Sequence, residues 1–108
     1  MTNVVLVLTT IPAAGPGEDI ARLLVAERLA TCVSIYPPMT SFFRWHGSVD
    51  HADERQLLIK TTRDRVPAIE QRIRELHSYE LPEFLVVAVG AGGVEYLAWV
   101  AEGTRPES

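Results

Sequence analysis

Residues 31–62 read TCVSIYPPMTSFFRWHGSVDHADERQLLIKTT, and this stretch decides the fold. Thr31–Ile35 is rich in β-branched residues and reads as a strand. Pro37-Pro38 interrupts it, because proline cannot donate to a strand ladder. Ser41–Trp45 resumes the strand with three aromatics. Gly47–Asp53 is polar and turn-like. Arg55–Thr62 is a further strand centred on Leu57-Leu58-Ile59. Two strand regions joined by a polar stretch predict a long hairpin. Fully extended, residues 31–47 would span roughly 55 Å at ~3.3 Å per residue. A domain of this size has a radius of gyration of about 13 Å. The strand must therefore bend at Pro37-Pro38 or reach beyond its own subunit.

On the N-terminal side, Val4–Leu8 is a solid apolar run that reads as a central strand. Pro12–Gly17 predicts a loop, and Ile20–Leu29 a helix with Glu18 and Asp19 at its positive end. On the C-terminal side, Asp64 is the expected N-cap of a helix through Val66, Ile69, Ile73 and Leu76. Pro67 fits its first turn, and Glu70 with Arg74 forms an i,i+4 pair. Phe84–Val89 predicts another buried strand, Gly90, Gly92 and Gly93 a turn, and Val94–Ala101 a short helix. The fold class expected is α+β: a ferredoxin-like β-α-β-β-α-β order, an antiparallel sheet and a C-terminal helix. Residues 1–103 form one domain and 104–108 a frayed tail. The second strand falls at a sheet edge. A long edge bearing Phe42, Phe43 and Trp45 is an aggregation hazard unless a partner covers it. Subunit pairing is expected through those three residues.

The 108 residues are 47% hydrophobic and carry a formal net charge of −4. The charge argues against nucleic acid as a partner. No apolar run approaches the ~20 residues that span a membrane. Met1-Thr2-Asn3 shows no basic leader, so a cytoplasmic protein is expected. Cys32 is the only cysteine, and it reads as a small buried hydrophobe.

Several segments resemble a known family. Leu29-Ala30-Thr31-Cys32-Val33-Ser34-Ile35 resembles its LAACVNI segment, and Ser41–Gly47 its SxYxWxG segment. Leu58-Ile59-Lys60-Thr61 resembles LIKT, with Glu54 as the acidic residue upstream. His77–Glu83 resembles HPYExPE, and Tyr96–Val100 the closing YLxWI. Together they are similar to the CutA-type divalent-cation tolerance family. The resemblance implies a ferredoxin-like homotrimer with long hairpins crossing between subunits. It also implies a link to copper and other divalent cations, with no established catalysis. The sequence departs from the pattern at Phe43, His46 and Ser78. A copper site proposed in some members maps onto Thr9, Leu76 and His77, of which only His77 is a good ligand.

Among residues that could carry chemistry, Lys60 lies in an apolar strand and needs counter-charges. Glu54, Glu80 and Glu83 could supply them. The expected ligand cleft holds Glu54, Lys60, Tyr79 and Glu80, with Trp99 nearby. His77 is the metal candidate, with weak copper binding; its other reading is a helix C-terminus where it meets the dipole. Gly90-Ala91-Gly92-Gly93 lacks a dinucleotide fingerprint and reads as a plain turn. Ser41, His46, Asp50 and His51 do not make a hydrolytic set, since no nucleophile elbow is present. No catalytic residue and no resident cofactor are expected beyond a divalent cation such as copper. The function expected is non-catalytic binding or regulation in cation tolerance. The alternative is a sensor of a small anionic metabolite, similar to the nitrogen-regulatory PII-like trimers.

Overall fold

The computed structural model describes residues 2–77 and 79–106. Ser78 of the HPYExPE-like segment, and Glu107 and Ser108 of the expected tail, lie outside the described residues. Strand β1 spans Val4–Pro12, helix α1 Gly17–Ala26, β2 Cys32–Ile35, β3 Met39–Trp45 and β4 Ser48–Thr62. A 3-10 turn at Arg63–Arg65 leads into helix α2, Val66–Leu76; β5 is Leu85–Ala88 and α3 is Val94–Gly103. The sheet order is β2-β4-β1-β5, antiparallel throughout, with β3 pairing the outer half of β4. This is the ferredoxin-like order, with β1 and β4 central.

Alternation sorts the residues of the two central strands onto two faces. Val5, Val7 and Ile11 of β1 face the helices with Leu57 and Ile59 of β4, each at most 1% exposed. Ile20 and Leu24 of α1 and Ile69 and Ile73 of α2 close this core. The other face carries Leu6, Leu8, Leu58 and Lys60, and α3 sits over one corner of it. There the Thr62 and Thr104 hydroxyls share a 3.0 Å hydrogen bond. The Arg65 Nε–H donates to the Thr104 carbonyl at 2.8 Å. Thr104 is only 2% exposed, so the chain is anchored one residue beyond the expected domain end.

The hairpin differs from the expectation at its tip. Strand β4 begins at Ser48, not Arg55, and the turn is only His46-Gly47. Both turn residues have positive φ, 49° and 81°, as a two-residue type I′ turn requires. The arm from Met39 to Glu54 projects past the core, and the molecule measures 46 × 27 × 23 Å. A strand without a core beneath it needs no apolar face, which is why residues 48–53 look like loop. The bend does fall at Pro37-Pro38. Ile35 pairs with Leu57 while Met39 pairs with Glu54, so the β2–β3 side holds one residue more than β4 between these pairs. That surplus acts as a bulge and re-aims the arm.

The helices also shift at their ends. Helix α1 starts at Gly17 and ends at Ala26, and α3 continues to Gly103. Asp64 makes no side-chain cap bond; it sits within the 3-10 turn. The Glu70–Arg74 pair forms at 3.3 Å. Strand β5 is an exposed edge and not a buried strand: its four residues Leu85–Ala88 are all exposed. No helix among the described residues is long and apolar enough to cross a membrane.

Candidate functional site

The alternation that buries Leu57 and Ile59 turns Glu54 and Gln56 to the opposite face. Cross-strand pairing places Met39 beside Glu54, Ser41 beside Ala52 and Phe43 beside Asp50 on that same face. The segment from Tyr79 to Glu83, which links α2 to β5, runs opposite them. Between the two lies a groove of about 800 Å³. Four acidic residues line it, Asp50, Glu54, Glu80 and Glu83, together with Phe42 and Arg44 of the arm.

Two side chains hold the facing segment in place. The Gln56 amide donates to Glu83 Oε2 and to the Thr9 carbonyl, both at 2.9 Å. The Tyr79 N–H donates to Nδ1 of His77 at 3.1 Å. His77 Nδ1 is therefore an acceptor, Nε2 carries the proton, and Nε2–H donates to the Thr10 carbonyl. The rings of His77 and Tyr79 pack with centroids 4.6 Å apart. Both imidazole nitrogens of His77 thus serve the backbone, and metal ligation there would break one of these bonds. Thr9 faces the helical core, fully buried, and its hydroxyl has no hydrogen-bond partner among the described residues. No three His, Cys, Asp or Glu side chains among the described residues are grouped to hold a metal ion.

Glu54 is 8% exposed. Burial, and then the adjacent Glu54 carboxylate, push the Tyr79 phenol up to about 12. The unfolded phenol ionises near pH 10, while the folded one keeps its proton to about 12. The stabilisation is complete below pH 10 and is lost as pH rises through 12. Urea titrations between pH 9 and 12 should show a shallower decline for Tyr79→Phe than for the parent. Parallel declines would place Tyr79 outside this coupling.

Within one chain the expected cleft divides. Glu54, Tyr79 and Glu80 meet in the groove. Lys60 is six residues further along β4, about 20 Å away at ~3.3 Å per residue. It pairs across the sheet with Leu6 and Cys32. No carboxylate among the described residues pairs with Lys60; its ammonium lies 5.8 Å from the Tyr96 ring centroid. The aromatic face supplies the attraction that a carboxylate was expected to supply. Tyr96 raises the Lys60 pKa, burial opposes the shift, and Cys32 adds a smaller push upward. Cys32 is half-buried beside Lys60, not sealed in the core. Trp99 packs on Tyr96 at 5.4 Å, at this end and not in the groove. Gln56 escaped the reading of the motifs. The signal available for it was a polar residue at an alternate position of β4, between Glu54 and Leu58.

The expected contact residues are all exposed. Phe42 borders the groove, packs on His51 at 5.7 Å and is 74% exposed. Phe43 and Trp45 are each 39% exposed. His46 packs edge-on against Trp45 at the hairpin tip. Asp50 accepts a hydrogen bond from the His51 N–H. Neither contact joins a Ser or a His into a hydrolytic set.

Comparison with known proteins agrees with the motifs. Residues 5–103 match the family described as CutA1 divalent ion tolerance protein. The divalent-cation tolerance protein CutA of Thermus thermophilus is 43% identical over 98 residues, covering 91% of this chain and 95% of that protein. The crystal structure of CutA from Xylella fastidiosa superposes with a TM-score of 0.92 at 41% identity, over 96% of this chain and all of that one. A PII-like protein CutA from Nostoc sp. PCC 7120, solved in apo form, superposes with a TM-score of 0.87 at 40% identity, over 95% and 99% of the two chains. With the β-α-β-β-α-β order, the hairpin and the groove in place, the chain belongs to the CutA1 divalent ion tolerance family.

Proposed function

We propose that this protein is a cytoplasmic homotrimer that serves divalent-cation tolerance, copper included, by binding or regulation and not by catalysis. The charge of the groove carries the reading: four acidic residues against one arginine in its lining. Such a surface attracts cations and raises their local concentration. The uncovered apolar side chains of the hairpin and of β5 support assembly, because an exposed edge of this kind invites pairing. Phe42 on the arm and Trp45 near its tip meet a neighbouring subunit, with Phe43 at the boundary of the groove.

The test is native mass spectrometry of the intact protein, followed by calorimetric titration with Cu(II) and Zn(II). The expected results are a mass near three times 12.0 kDa and metal binding that weakens in Glu54→Gln. A monomeric mass removes the assembly; absence of binding by either metal removes the metal role. A second reading, a sensor of a small anion, has Lys60 in its favour, since no carboxylate among the described residues pairs with it. Phosphate or nucleotide binding that disappears in Lys60→Met would favour this second reading.

A further inference from the structure

We draw no further inference here: the strongest candidate, the small pocket at the N-terminus of α1 that Arg55 lines, carries nothing, because Arg55 is only half-buried, Glu18 and Asp19 line the same pocket, and nothing among the described residues beyond the helix end points to a ligand there.

Discussion

Ile59→Ala should lower the free energy of unfolding by about 2–5 kcal/mol, the usual cost of a large-to-small change in a closed core. Ile59 is fully buried between the helices and the centre of the sheet. Its strand is held on one side by β1, where Val7 is its partner, and on the other by β2, where Val33 is. Neighbours fixed on both flanks cannot collapse into the space left behind. Leu58→Ala makes a matched control: same strand, similar volume, opposite face and only half-buried. A one-residue slip of β4 would exchange the roles of these two residues. Urea denaturation should rank Ile59→Ala well below Leu58→Ala. An inverted ranking would mean that the register of β4 on β1 is wrong.

Phe42→Ala should leave the fold of a single chain nearly unchanged and weaken the proposed assembly by about 2–4 kcal/mol per subunit boundary, the range of an aromatic contact hot spot. The contrast follows from position. Phe42 is 74% exposed and touches His51 at the ring edge, so the lone chain gains little from it. Among the described residues, strands β3 and β4 around it pair with each other and with no further strand, because the arm lies beyond the core. A ring this large, held out on a rigid arm, can be buried only by another chain. Sedimentation velocity over a range of protein concentrations reads the effect as dissociation of the variant where the parent stays assembled. Circular dichroism of the same samples should show an intact fold. Parent-like sedimentation of Phe42→Ala would put the subunit contact elsewhere, with the exposed residues of β5 next in line.

Much of the fold is written locally. The apolar run Val4–Leu8, the helical spacing of Ile69 and Ile73, and the break at Pro37-Pro38 each depend on neighbours in the chain. The order of these elements was enough to identify the ferredoxin-like sheet, and five short segments in order pointed to the family. Tyr79 and Glu80 also stand out within one of those segments and Glu54 just upstream of another, although only the fold brings the three to one groove. Other features have no local signature. Residues 48–53 have a continuous apolar run on neither face, and pairing with β3 makes them a strand. Strand arithmetic separates Lys60 from Glu54, but only the fold brings Tyr96 to Lys60 across 36 positions. The roles of the His77 nitrogens were equally out of reach, because one partner, the Thr10 carbonyl, lies 67 residues away in sequence. Periodicity and turn chemistry act over a few residues and are legible in sequence. Hydrogen bonds and burial at the groove join β1, β3, β4 and the segment after α2, so tertiary packing alone decided them.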